Sequence, residues 1–256
     1  MKDSLDLTQF PEINLPARIL LGPGPSMIDP RVYRAMSAPL VGHLDPEFVR
    51  LMDRTQELLR YAFRTENKLT IPVSGTGSAA MEASIANSVE PGTPVLICIN
   101  GYFGERLTDM AKRYGGDVTV IHRPWGEVFT PSEVAAALKE KPAKVVGIVH
   151  AETSTGAVQP LDEIAKIVHA QGGLLIVDAV TSLGGVPIPV DEIGIDICYS
   201  GTQKCISAPP SLGPITFNEA AADALQKRKT GVTSWYLDHP DYCPEYCCFG
   251  RLACYF

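Results

Sequence analysis

The 256-residue sequence predicts an α/β domain, a three-layer αβα arrangement around a mostly parallel seven-stranded sheet. Three observations carry that expectation. Short apolar runs alternate with helical patterns from residue 69 onward. Those runs are short and carry apolar residues on both faces, as strands covered on both sides require. A composition of 45% apolar and 20% charged residues also supplies a sizeable core and excludes a disordered or fibrous chain.

Taken in order, the first clear element is a helix opened by Asp45-Pro46-Glu47. An acid stands at the N-cap and a proline in the first turn, followed by a stripe of Phe48, Leu51, Met52, Leu58 and Leu59. Strands are predicted over 69–73, 95–99, 118–121, 144–149, 174–177, 196–199 and 214–217, and helices over 79–89, 131–140 and 161–170. After Ser234-Trp235-Tyr236-Leu237-Asp238 the pattern stops. Residues 239–256 have neither helical nor strand period and carry Cys243, Cys247, Cys248 and Cys254. The expected organisation is therefore one unit over 1–238 and an aberrant Cys-rich tail over 239–256.

Charge and cysteine usage narrow the function classes. A net charge of −7 gives no electrostatic footprint for nucleic acid or an anionic membrane surface. The longest apolar runs, such as 145–149 and 173–177, fall far below the ~18 residues of a membrane span. The opening MKDSLDLTQF has acids where a signal peptide needs a basic and then an apolar run. Cys98, Cys198 and Cys205 stand singly, as thiols of a reducing compartment do, so cytoplasmic residence is expected. The tail spacing Cys-x3-Cys-Cys-x5-Cys lacks the paired knuckles of a zinc site, and no metal is expected.

Ligands of open α/β sheets bind at the carboxyl ends of strands. Four polar or glycine-rich turns stand there: Ser74-Gly75-Thr76-Gly77-Ser78, His150 to Gly156, Asp178 after its apolar run, and Ser200-Gly201-Thr202-Gln203-Lys204. The first turn runs into a helix whose unpaired N–H groups and positive dipole end suit a phosphate. It also imitates a dinucleotide fingerprint. Against that reading, the next strand ends at Ile99-Asn100 and offers no acid for a ribose. The Tyr199…Lys204 spacing is one residue too long for the Tyr-x-x-x-Lys pair of short-chain dehydrogenases. A lysine and a buried acid beside a phosphate cradle suit pyridoxal 5'-phosphate: the lysine forms a Schiff base, and the acid keeps the pyridine nitrogen protonated. An acid ending an apolar strand costs several kcal/mol to bury unpaired, so a role is expected for it.

These turns, with Leu20-Leu21-Gly22-Pro23-Gly24-Pro25-Ser26, Gly42-His43-Leu44-Asp45-Pro46-Glu47-Phe48, Asn100-Gly101-Tyr102-Phe103-Gly104 and Val177-Asp178-Ala179-Val180-Thr181-Ser182-Leu183-Gly184-Gly185, are collinear from about Leu20 to Asp238. In them the chain resembles the alanine–glyoxylate and serine–pyruvate aminotransferases of the class V, fold-type I pyridoxal-phosphate family. Ureidoglycine–glyoxylate aminotransferases share the same motifs. The resemblance implies Lys204 as the catalytic Schiff-base lysine and Asp178 as the partner of the pyridine nitrogen. It implies Phe103 as the ring-stacking aromatic, often Trp in the family, and Thr153 as the hydroxyl near the phenolic oxygen. Thr76, Gly77, Ser78 and Gln203 fall at phosphate contacts, Ser78 where relatives often carry His. Gly42 matches a substrate-side loop that commonly reaches across a dimer, and His43 reads as a loop residue.

The resemblance also implies transfer of an amino group from alanine or serine to glyoxylate or a similar 2-oxo acid, by a homodimer acting on amino-acid and 2-oxo-acid substrates. There is a departure as well. Relatives continue past Ser-Trp-Tyr-Leu-Asp into a Tyr-His-His-Thr stretch, then a smaller domain with a carboxylate-gripping arginine. Neither is expected here, and Arg251 is not assigned that role. The alternative expectation is thus a truncated chain that binds the cofactor or nothing, without turnover. A lyase or desulfurase would need a mobile catalytic cysteine in the region this chain lacks.

Overall fold

The computed structural model of the chain describes residues 13–238. The predicted tail over 239–256, with its four cysteines and Arg251, lies outside the described residues.

A short helix, α1 (Pro30–Met36), and the long α2 (Pro46–Phe63) precede the sheet. Asp45 caps α2 as its sequence predicts, its carboxylate accepting from Glu47 N–H at 2.8 Å. The apolar stripe of α2 is corrected in part. Phe48, Met52, Leu59 and Phe63 turn toward the cores, whereas Leu51 and Leu58 are exposed. Leu51 and Leu58 are seven residues apart, so they share a neighbouring face of the helix that no other described element covers.

The sheet then builds strand by strand: β1 (Leu69–Ser74), β2 (Pro94–Ile99), β3 (Asp117–His122), β4 (Val145–Val149), β5 (Leu174–Asp178), β6 (Ile197–Tyr199) and β7 (Leu212–Phe217). Its order is β1-β7-β6-β5-β4-β2-β3. β7 runs antiparallel to both neighbours and every other pair is parallel. All seven predicted strands are present. β3 differs from the expected two-sided burial, because it lies at the sheet edge and its middle residues are only half-buried.

The connecting helices are α3 (Gly77–Ser88), α4 (Tyr102–Arg113), α5 (Pro131–Glu140), α6 (Asp162–Ala170), the single turn α7 (Val190–Ile193) and α8 (Glu219–Gln226). Strand side chains alternate strictly between two cores. Ile97, Val145, Ile176, Ile197 and Ile215 meet α3, α4 and α8 on one face. Leu96, Val146, Ile148, Leu175 and Val177 meet α5 and α6 on the other. That alternation is the three-layer αβα arrangement. Strand order reverses on either side of β2, leaving a crevice at the carboxyl ends of the parallel strands.

Candidate functional site

The carboxyl ends of β1, β4, β5 and β6 bring the four polar turns together. α3 begins two residues earlier than the sequence pattern suggests, so Thr76 is its N-cap and Gly77 and Ser78 are its first residues. The helix end therefore falls inside the glycine turn, where its free N–H groups face the crevice side. Gly77 is buried against the neighbouring turns. A Cβ there would stand 2.9 Å from Val180 Cγ2 and 3.6 Å from Gly201 Cα. The close approach of α3 to the turns after β5 and β6 thus requires the smallest residue.

Asp178 ends β5 opposite Tyr199 of β6 in the parallel register. It is almost fully buried. One carboxylate oxygen accepts from Val180 N–H at 2.8 Å and the other from the Tyr199 hydroxyl at 3.0 Å. Burial pushes its carboxyl up to about 6, against the pull of those two donors. The Tyr199 hydroxyl is itself driven well above its ordinary range by burial and by the adjacent carboxylate, and stays a donor.

Lys204 lies in the turn after β6, and its amine donates to Pro23 O at 2.7 Å. Partial burial lowers its ammonium, and the charge of Asp178 opposes that shift, so the two groups lie within electrostatic reach of each other. The turn is pinned by the N-terminal arm. Ser26 N–H donates to Gln203 O at 2.8 Å and the Ser26 hydroxyl to Lys204 O at 2.7 Å. Gly24, at φ +135°, leaves the room: a Cβ there would stand 2.7 Å from Lys204 Cδ. These arm contacts span about 180 residues and had no signal in the sequence beyond the Leu20-to-Ser26 motif.

Gln203 sits beside the cradle. Its Oε1, buried with no partner among the described residues, lies 2.8 Å from where a Cβ of Gly201 would be, next to Gly77 N–H. That orphaned atom is an acceptor, so the fit to an anionic group rests on the bare α3 N-terminus and on the glycines, Gly77 and Gly201, that line its approach. Thr153 meets Thr181 hydroxyl to hydroxyl. Phe103 is the second residue of α4, and its N–H donates to the buried Glu152 carboxylate at 3.2 Å. Glu152 also accepts from Ser154 N–H and hydroxyl at 3.1 and 2.7 Å, so it anchors the α4 end beside the crevice.

Thr76, Gly77, Ser78, Phe103, Thr153, Asp178, Gln203 and Lys204 thus belong to one connected end of the sheet. Gly42 does not join them. It stands in an exposed loop with no heavy atom within 4 Å of a would-be Cβ, and His43 is exposed beside it. Tyr199, Glu152 and Arg106, to which sequence reasoning assigned no role, contact Asp178, Phe103 and Ser78 at the same end of the sheet. The Arg106 guanidinium donates to Ser78 Oγ at 3.0 Å and lies 4.8 Å from the Phe103 ring centroid. Among the described residues no cluster suits a metal ion, and no helix is long and apolar enough to cross a membrane.

Comparison with known proteins gives a consistent answer. Residues 20–241 match the aminotransferase class-V family. The chain is 44% identical over 218 residues to the (S)-ureidoglycine–glyoxylate transaminase of Bacillus subtilis, covering 85% of this chain and 52% of that protein. It is 42% identical over 226 residues to the alanine–glyoxylate aminotransferase of Rattus norvegicus, covering 88% and 55%. The crystal structure of an alanine–glyoxylate aminotransferase from Nostoc sp. superposes with a TM-score of 0.88 at 53% identity, over 92% of this chain and 63% of that one. The chain spans about half the length of the curated relatives it matches.

Proposed function

The chain belongs to the class-V aminotransferase family, and on that premise we propose that it binds pyridoxal 5'-phosphate and moves an amino group from alanine or serine to glyoxylate or a similar 2-oxo acid. The observation that carries this reading is the meeting of a partly buried lysine, a buried carboxylate and a bare helix N-terminus at one end of the sheet. When bound, the cofactor supplies an aldehyde for the amino group and a ring that withdraws electrons once its nitrogen is protonated.

Each residue has a definite task in that reading. Burial favours the neutral amine of Lys204, the form that attacks a carbonyl and later carries the substrate α-proton. Pro23 O orients that amine from the arm. Asp178, fixed by Val180 N–H and the Tyr199 hydroxyl, holds a proton at the ring nitrogen. The first N–H groups of α3, with Thr76, Ser78 and Gln203, bind the phosphate. Phe103 packs on the ring, and the Thr153 hydroxyl serves the phenolic oxygen.

Gly42 belongs to the substrate side, reached from a second copy in a homodimer; its open surroundings fit a residue that a partner covers. Buried free thiols at Cys98 and Cys198 suit the reducing cytoplasm. The 44% identity to a ureidoglycine–glyoxylate transaminase favours ureidoglycine as an alternative donor.

Two measurements test the reading. The purified chain mixed with pyridoxal 5'-phosphate acquires visible absorption that borohydride fixes on the Lys204 peptide, and Lys204→Ala does not. A chain that stays colourless overturns the cofactor assignment. With alanine and glyoxylate, the loaded chain forms pyruvate and glycine. Cofactor fixed on Lys204 without turnover from alanine, serine or ureidoglycine would instead make this chain a cofactor-binding unit alone.

A further inference from the structure

We propose that Arg106 is the cationic element of the cofactor site, a binding residue that holds the phosphate end against the α3 N-terminus. The inference rests on the pyridoxal-phosphate reading above. Side chains on a helix lean back toward its N-terminus, and Arg106 follows that rule on α4. Its guanidinium is held at two points: the Ser78 hydroxyl at 3.0 Å, and the faces of Phe103 and Tyr102 at 4.8 and 5.2 Å from their centroids. Ser78 is the second residue of α3. Phe103 and Ser78 belong to different elements, so one side chain joins the ring-stacking position to the phosphate cradle.

Charge decides why this matters. A phosphate monoester carries about −1.5 to −2 near neutral pH. The helix end offers roughly half a positive charge, and Thr76, Gly77, Ser78 and Gln203 are all uncharged. Lys204 cannot serve as the counter-ion, because its amine is committed to Pro23 O and acts in its neutral form. Arg106 supplies a full charge on a planar fork that matches phosphate oxygens. Among the described residues, Ser78 is the hydrogen-bond acceptor its guanidinium takes, which leaves its remaining donors for a ligand. Its field also reaches Asp178 and favours the ionised carboxylate, as a cation inside the crevice would.

The experiment compares pyridoxal 5'-phosphate with pyridoxal, which lacks the phosphate, as ligands of the cofactor-free chain. Arg106→Gln is expected to weaken binding of the phosphorylated form by at least about tenfold while changing pyridoxal binding little, as loss of a charge-assisted contact predicts. Arg106→Lys, which keeps the charge but not the fork or the stacking, is expected to recover part of the difference. An equal effect on both ligands, no effect, or tighter binding of both (a guanidinium that merely blocks the ring position) overturns the proposal. If the glutamine variant does not fold, the unaltered chain carries the test. Pyridoxal 5'-phosphate, but not pyridoxal, should protect Arg106 from phenylglyoxal, and equal modification with either ligand overturns the assignment. Failure of the unaltered chain to fix pyridoxal 5'-phosphate on Lys204 would instead sink the functional reading beneath it.

Discussion

Asp178 shows what a buried carboxylate costs the fold that holds it. Its carboxyl is buried at the lip of β5 and pushed from an ordinary 3.8 up to about 6. The native state therefore binds more protons than the unfolded chain between about pH 4 and pH 6, and the cofactor-free protein loses stability as pH rises through that window. The sign is opposite to that of a salt-bridged aspartate. A shift of this size corresponds to about 3 kcal/mol at most. Asp178→Asn removes the charge and keeps the shape. It should therefore raise the stability of the cofactor-free chain by about 1–3 kcal/mol at pH 8 in urea titrations, with the gain shrinking toward pH 5. The same variant should slow amino transfer by at least about a hundredfold, because an amide cannot hold the ring-nitrogen proton. A less stable Asn variant at pH 8 would mean that hydrogen bonds from Val180 and Tyr199 outweigh burial of the charge.

At the scale of elements, the decisive contact is the approach of α3 to the turns after β5 and β6. Gly77 permits it, since a Cβ would stand 2.9 Å from Val180 Cγ2. Gly77→Ala is expected to destabilise the chain by about 1–3 kcal/mol, as overpacking does, and to weaken pyridoxal 5'-phosphate binding as α3 is pushed away. Trimming the neighbour in Gly77→Ala/Val180→Ala should return part of the stability, measured as a coupling in a double-mutant cycle. Additive effects of the two substitutions would remove the contact as the cause. The strands themselves were legible, because β2, β4 and β5 are continuous apolar runs long enough to name and too short for helices. The turns after them were legible for the same reason. The stripe of α2 was less so: Leu51 and Leu58 have the same chemistry as Met52, and only the packed partners distinguish the faces. The arm contacts of Pro23 and Ser26, the Tyr199 hydroxyl on Asp178 and the reach of Arg106 to Ser78 were not legible at all. Each joins residues far apart in sequence, where local pattern has nothing to report.

At the scale of the whole molecule, the apolar surface that the described fold leaves uncovered is concentrated before the sheet. Leu40, Val41, Leu44, Leu51, Leu58 and Tyr61 are all exposed, on the loop carrying Gly42 and on the outer face of α2. Scattered exposed leucines need no explanation, but a run of them on consecutive elements marks an interaction surface. The homodimer reading assigns it a second copy. Each leucine moved from water into apolar contact contributes about 1.5–3 kcal/mol, and a two-fold axis counts every such residue twice. The unaltered chain should therefore sediment at micromolar concentration with twice its 27.6 kDa mass. Leu51→Lys/Leu58→Lys should give the single mass with an unchanged far-ultraviolet spectrum, since neither side chain enters a core. If the loop around Gly42 also completes the substrate side of the neighbouring copy, the lysine variant should still fix pyridoxal 5'-phosphate on Lys204 yet lose turnover. A monomeric unaltered chain at that concentration, or a lysine variant that remains dimeric, would place the interface elsewhere.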